Sequence, residues 1–316
     1  MFKVITARLH PPKPSSLRLD GLTVLLVGAS TGIGLEAAKK LATKGPAKLI
    51  VTARDASKAS KTKTLIEEHL SATSTPQSSI PTIIPLVVEL TSPKSMYAFA
   101  RDLAQATDHL DHAILSAGIL LGSYSQVSET GYETSLQVNA ISPMLMSLLI
   151  MPLLLASPRV HNESVADRPH LTIVSSGGAW LVKKSSLSPY VDFDHPLREL
   201  SKKENFPPGM MGGAVNSELS RHSANSGVLG AMARVVNGTV ARTPEQGANI
   251  YISSLNLGVE GRGEMWTDDS ISKDARPFIA SDELKRLGDN VWGEVKEFAA
   301  KVDEMHGSGL VKRLLA

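Results

Sequence analysis

Seven residues, Gly28-Ala29-Ser30-Thr31-Gly32-Ile33-Gly34, carry the spacing G-x-x-x-G-x-G between an apolar run and an amphipathic one. Glycines there permit a tight turn and leave no side chain to hold a phosphate off the backbone. A helix starting at that point aims its first N–H groups and the positive end of its dipole into the same space. The chemistry indicated is the cradling of a dinucleotide pyrophosphate. Arg54 follows a second apolar run in Thr52-Ala53-Arg54-Asp55. Val174-Ser175-Ser176 sets two hydroxyls at the end of another apolar run. The chain has no cysteine, which excludes disulfides, thiolate metal ligands and cysteine nucleophiles. His109 with His112, and the scattered His161 and His170, lack the spacing of a metal site.

These groups need a scaffold, and the hydrophobic pattern supplies one. Leu22–Val27, Lys48–Ala53, Thr82–Leu90, Asp111–Ser116 and His170–Ser175 are short apolar runs, read as strands buried on both faces. Helical periodicity separates them over Ile33–Lys44, Ser57–Leu70, Ser92–Thr107 and Gly131–Ala156. Five alternations with short links predict an α/β fold, a Rossmann-like doubly wound parallel sheet with helices on both faces. Residues 1–20, with Pro11, Pro12 and Pro14, read as an irregular arm before one domain over 21–316. The rhythm breaks after Ser176, and residues 179–213 form an insert-like polar segment. Thr243-Pro244-Glu245-Gln246 has the form of a capping box with proline at the first helical position, which starts a helix to about Asn256. Glu264–Ser270 reads as a last strand, and Asp282–Met305 as one or two amphipathic helices with Glu294 and Glu297 facing water.

The 316 residues hold 33 Lys plus Arg against 31 Asp plus Glu, a formal charge of +2. That near balance builds no phosphate-neutralising surface, and 4% aromatics supply few stacking platforms, so no nucleic-acid partner is expected. The greasiest stretch, Met144–Ala156, is too short to span a bilayer and contains Ser147 and Pro152. No membrane association and a cytoplasmic location are expected. The run Leu145–Leu155 is core or an oligomer interface.

With these motifs in order, the chain resembles the short-chain dehydrogenase/reductase superfamily, in particular its NADP-dependent reductases of specialised metabolism. The family writes T-G-x-x-x-G-x-G, and Val27 stands where Thr is common. The resemblance implies cofactor contacts at Gly28, Ser30, Gly32, Ile33 and Gly34, and an NADP(H)-selecting base at Arg54. Glu89-Leu90 matches the family's Asp-Leu or Asp-Val near the adenine, and Ser116-Ala117-Gly118 its Asn-Ala-Gly. Thr130-Gly131-Tyr132-Glu133 through Val138-Asn139 matches T-x-x-G-x-E…V-N, which implies that Asn139 bends the long helix and holds a water as a catalytic residue. Ser176 falls on the catalytic serine, and Ser217, in Gly213–Leu219, on the residue that meets the nicotinamide carboxamide. By the same resemblance the long apolar helix implies a homodimer.

The family's proton donor is a tyrosine with lysine four residues later, and here the pattern departs. Four residues after Tyr97, Tyr124, Tyr132, Tyr190 and Tyr251 stand Arg101, Ser128, Leu136, Asp194 and Leu255. The simplest account is an internal loss of that helix and of the sixth strand after it. A competing alignment makes Leu255–Gly258 the Asn-Pro-Gly loop, against the helix that Thr243 starts. Tyr190 lies near the family's spacing, but Asp194 at the lysine position would raise its phenol pKa. Lys183, Lys184, His195 and His222 read as solvated side chains, and Met210, Met211 and Trp180 either line an apolar pocket or pack within the loop. Three functions stay open: an NADP(H)-dependent oxidoreductase acting on a carbonyl, enone or iminium of a small apolar metabolite; a cofactor-binding protein without redox activity, serving ligand binding, cyclisation or isomerisation; and a gene-model product from which the catalytic segment is missing.

Overall fold

The computed structural model describes residues 11–73, 80–162, 167–176, 182–206, 243–258, 261, 263–267, 269–272, 281–306 and 309–315. Strand β1 (Thr23–Val27) is buried along its whole length. Val24 and Leu26 pack with one apolar cluster and Leu25 and Val27 with another, the alternation of a strand between two helical layers. Helix α1 (Gly32–Ala42) follows and buries the small residues Gly34, Ala37, Ala38 and Ala42, which let it lie close to the sheet. Next come β2 (Lys48–Ala53), α2 (Ala56–Ala72), β3 (Thr82–Val87), α3 (Pro93–Ala106) and β4 (His112–Leu115). Asp55 caps α2 by accepting from Lys58 N at 2.8 Å, and Ser92 caps α3 with Pro93 inside its first turn.

Helix α4 runs from Thr134 to Leu155 and carries a π turn over Gln137–Ile141. Strand β5 (His170–Ile173) completes a parallel sheet of order β3-β2-β1-β4-β5. Sequence order reverses between β1 and β4, and the crevice at the carboxyl ends of those strands is where open α/β sheets bind ligands. Asp111, 2% exposed, ties the opposite end together, accepting from Thr23 N at 2.8 Å and from Ser157 Oγ at 2.7 Å.

Beyond β5, α5 (Lys184–Leu187) and α6 (Pro196–Leu200) are short helices inside the polar segment. Helix α7 (Pro244–Ser254) begins with the expected capping box between Thr243 and Gln246. Helix α8 (Asp282–His306) is a single element, and α9 (Leu310–Leu315) closes the chain. One apolar layer joins α3, α4 and α8 to the sheet, the other α1, α2 and α7.

Several expectations are corrected. The span Glu264–Ser270 does not extend the sheet: β6 (Trp266–Thr267) and β7 (Ser270–Ile271) form a separate antiparallel hairpin, turned by Asp269 at φ 56°. Glu294 does not face water but is 3% exposed. The amino-terminal arm is irregular over its described part yet firmly docked: Leu19 is fully buried, and Asn249 Nδ2 donates to Pro12 O at 2.8 Å. By length and composition α4 is long enough to cross a membrane, but half of its apolar window is buried, with Leu145, Met146, Leu149, Ile150 and Leu154 in the core. Among the described residues no sixth strand pairs with β5.

Candidate functional site

The turn from Gly28 to Gly34 leaves β1 at the switch point. Gly28 takes φ 91°, and a Cβ there would sit 2.6 Å from Ala117 Cα, so the turn and the end of β4 touch backbone to backbone. A Cβ on Gly34 would collide with the Gly28 carbonyl. Thr52 fixes the start of the turn: Gly28 N donates to its Oγ1 and Ala29 N to its carbonyl, each at 3.1 Å. Ser30 and Ile33 are half-buried. At the N-cap of α1, Thr31 makes no side-chain cap hydrogen bond, and no acid stands in the first turn. Among the described residues nothing charged or capping occupies this helix end, so its N–H groups fit an anion. The glycine cradle and the uncapped helix together fit the pyrophosphate of a dinucleotide.

Arg54 is exposed one residue beyond β2, and no described residue accepts a hydrogen bond from it. Its neighbour Asp55 is held below the usual carboxylate range, first by the hydrogen bond from Lys58. Arg54 thus stands at the carboxyl end of β2, and Glu89 just beyond β3. The Glu89 carboxylate turns back on its own loop, accepting from Thr91 N at 3.0 Å and from Thr91 Oγ1 at 2.9 Å. Leu90 is buried under the crevice beside Val27, Leu115 and Ala117.

On the other side, Ser116 N donates to Val27 O at 2.9 Å and Ser116 Oγ to the Tyr251 hydroxyl at 2.8 Å. Gly118 is the point of close approach to Asn139, whose Oδ1 would lie 3.3 Å from a Cβ there. Asn139, in the π turn, accepts from Ile119 N at 2.8 Å and donates to Ile119 O at 2.7 Å. The π turn interrupts the regular helix at Asn139, which spends its amide on pinning the chain after Gly118. Val174 N donates to Leu115 O at 2.9 Å, which sets the end of β5 beside that of β4 and leaves Ser176 exposed just past it. Ser217, Trp180, Met210, Met211 and His222 lie outside the described residues.

Four of the five tyrosines have their hydroxyls engaged within the chain. Tyr97 donates to Asp303 at 3.1 Å, Tyr124 to Ser201 O at 2.9 Å, Tyr132 to Glu294 at 3.0 Å, and Tyr251 pairs with Ser116. Burial pushes the Tyr132 phenol up, and the Glu294 carboxylate adds to the shift. Burial also raises the Tyr251 phenol. Tyr190 is half-buried, while Lys183 and His195 are exposed, His195 with Glu297 at 3.9 Å.

Two features escaped the sequence. Tyr251 belongs to the buried stripe Ala248, Tyr251 and Ile252 of α7, continued by Leu255 at its C-cap, so its period reads as core while its hydroxyl reaches Ser116. Glu294 accepts from Tyr132, from Leu197 N at 2.7 Å and from Arg198 N at 3.0 Å. The Arg198 guanidinium lies 4.1 Å over the Tyr132 ring. This cluster docks the polar segment onto the turn that leads into α4.

Residues 22–161 match the family model for short chain dehydrogenase. The chain is 28% identical to the short-chain dehydrogenase/reductase phmF of Phaeosphaeria nodorum, over 93% of its own length and 91% of the relative's. It is 29% identical to the short-chain dehydrogenase sdnK of Sordaria araneosa, over 93% and 94% respectively. Among solved structures, the short chain dehydrogenase from Shigella flexneri is 20% identical, with a TM-score of 0.46 over 79% of this chain and 91% of that one.

Proposed function

Because this chain belongs to the short-chain dehydrogenase/reductase superfamily, an oxidoreductase family that binds nicotinamide cofactors, we propose that it is an NADP(H)-dependent oxidoreductase of a biosynthetic pathway. Its substrate in this reading is a small apolar metabolite with a carbonyl, enone or iminium. One observation carries the NADP(H) assignment: Arg54 stands exposed beyond β2, one strand from the uncapped amino end of α1. A bound nicotinamide dinucleotide supplies or accepts the hydride. The N–H groups of Ser30, Gly32 and Ile33 face the pyrophosphate, Arg54 forks onto the 2′-phosphate, and Ala117 and Gly118 let the cofactor lie close to β4. Ser176 orients a substrate oxygen. The reading includes a homodimer across the outer side of α4, where Leu155 is exposed.

A fluorescence titration with NADPH and NADH tests it. Guanidinium–phosphate hydrogen bonds are charge-assisted, so Arg54→Ala weakens NADPH about tenfold to a hundredfold and leaves NADH unchanged. Equal loss for both cofactors, or none, removes the 2′-phosphate role.

The missing Tyr-x-x-x-Lys and the four engaged tyrosine hydroxyls favour a second reading, a cofactor-binding protein without redox chemistry. Loss of a general acid costs about 10²–10⁴ in rate, and an iminium, which needs only hydride, suffers least. NADPH oxidation with a cyclic iminium, a ketone and an enone separates the two readings: turnover of any one supports the oxidoreductase, and tight binding without turnover supports the second.

A further inference from the structure

We propose that Tyr251 is a positioning residue for the nicotinamide half of the cofactor groove, acting through Ser116. The inference rests on the cofactor reading above. The geometry assigns the half. The uncapped end of α1 lies over the switch point, and Arg54 leaves β2 on one side of it. The dinucleotide half over β4 and β5 is therefore the nicotinamide half, and Ser116, Ala117 and Gly118 form its wall.

Ser116 stands where the family pattern has asparagine, with a shorter side chain and a single proton to donate. It donates that proton to the Tyr251 hydroxyl at 2.8 Å, away from the crevice and into the layer that holds Ala248 and Ile252. Tyr251 is 7% exposed and Ser116 is half-buried, so the bond is partly screened from water. Its helix is held from the other side. Lys40 of α1 donates to Glu245 O at 2.7 Å and to Asn249 Oδ1 at 2.6 Å. A Cβ on Gly247 would lie 3.5 Å from Ile33 of the glycine turn.

Helix α7 is thus fixed to the phosphate-binding element by its first turn and grips the end of β4 by Tyr251. Between those grips, Ala117 meets Gly28 backbone to backbone. The Tyr251–Ser116 bond sets how high Ala117 and Gly118 stand against the glycine turn, and so the depth of the groove on the nicotinamide side. Among the described residues no hydrogen bond joins Tyr251 or Ser116 to the adenosine side, formed from β2 and β3.

The test compares NADPH with 2′,5′-ADP, which carries only the adenosine half, on the full chain and on Tyr251→Phe, Ser116→Ala and their combination. The phenylalanine keeps the ring in the core, and circular dichroism with the melting temperature reports folding of each variant. Each single variant is expected to weaken NADPH about threefold to tenfold, the worth of one intramolecular hydrogen bond. The double variant weakens it no further, and 2′,5′-ADP binds all four proteins alike. A parallel loss of both ligands, or a lower melting temperature with NADPH affinity unchanged, overturns the proposal and leaves the bond a packing feature. Should the unsubstituted chain bind neither ligand, the cofactor reading itself falls and this one with it.

Discussion

Acid should weaken this protein through His112 in a measurable way. The side chain sits at the head of β4, 5% exposed, with the His170 ring 5.3 Å away on the neighbouring strand. Burial first, and the His170 charge second, push its pKa down from 6.5 to about 4. The Nδ1 atoms of both rings are buried without a hydrogen-bond partner, and the neighbouring Asp111 charge offsets only part of the cost of a proton there. In the unfolded chain the ring protonates near 6.5, whereas in the folded chain it stays neutral down to about 4. The unfolded state therefore binds the extra proton between those values. The contribution is complete above the unfolded pKa and is lost as pH falls toward the folded one. Linkage puts the loss at about 2.5 kcal/mol between pH 7.5 and 4.5, with a slope near 1.2 kcal/mol per pH unit at mid-window. His112→Phe keeps a ring against His170 and removes the titration. Urea unfolding of both proteins at four pH values across that range gives the comparison, and carboxylates common to both cancel. The unsubstituted chain should lose about 2.5 kcal/mol more than the variant. Parallel curves would refute the reasoning, because a buried neutral imidazole cannot be silent in this window.

Glu294→Ala leaves the Tyr132 hydroxyl and the Leu197 and Arg198 N–H groups without their acceptor. It should cost about 2–4 kcal/mol in denaturant unfolding, and Glu294→Gln, which keeps one acceptor oxygen, visibly less. Gly28→Ala forces a φ of 91° on alanine and sets its Cβ 2.6 Å from Ala117 Cα. Backbone strain alone there costs about 1–3 kcal/mol, and isothermal titration should show NADPH affinity reduced by at least about tenfold.

Much of the fold was legible where a local signal had a local cause. The apolar run of β1 announced a strand buried on both faces, and the glycine spacing announced the turn after it. The capping box at Thr243 needs only residues three apart. The helix it starts runs over Pro244–Ser254, and Leu255–Gly258, which the competing alignment needs as a loop, lie beyond its end. Asn139, singled out by the family pattern, falls in the π turn. The misreadings arise where the partner is distant. Glu294 has the period of a solvated face, but its carboxylate is drawn inward by N–H groups about a hundred residues earlier, at Leu197 and Arg198. The prolines of the arm forbade regular structure without revealing that Asn249 would bind Pro12 O. Glu264–Ser270 had strand-forming residues, yet a tight reversal at Asp269 folds the segment on itself. Tyr251 was hidden because a phenol in an apolar stripe looks like a ring alone.

The contact of Gly28 with Ala117 also bears on how the protein comes off the ribosome. The first βαβ unit contains the whole glycine motif, yet the wall that the motif leans on belongs to β4. Thr23 N at the start of β1 likewise waits for the Asp111 carboxylate, 88 residues later. At ordinary rates of synthesis that interval lasts on the order of ten seconds. Through it the most apolar strand of the chain has neighbours on one side only, in a parallel arrangement that is slow to pair. A nascent chain arrested before β4 emerges would expose the open edge of β1, with Leu25 and Val27 on the face that awaits α4 and α8, and so be a target for chaperones.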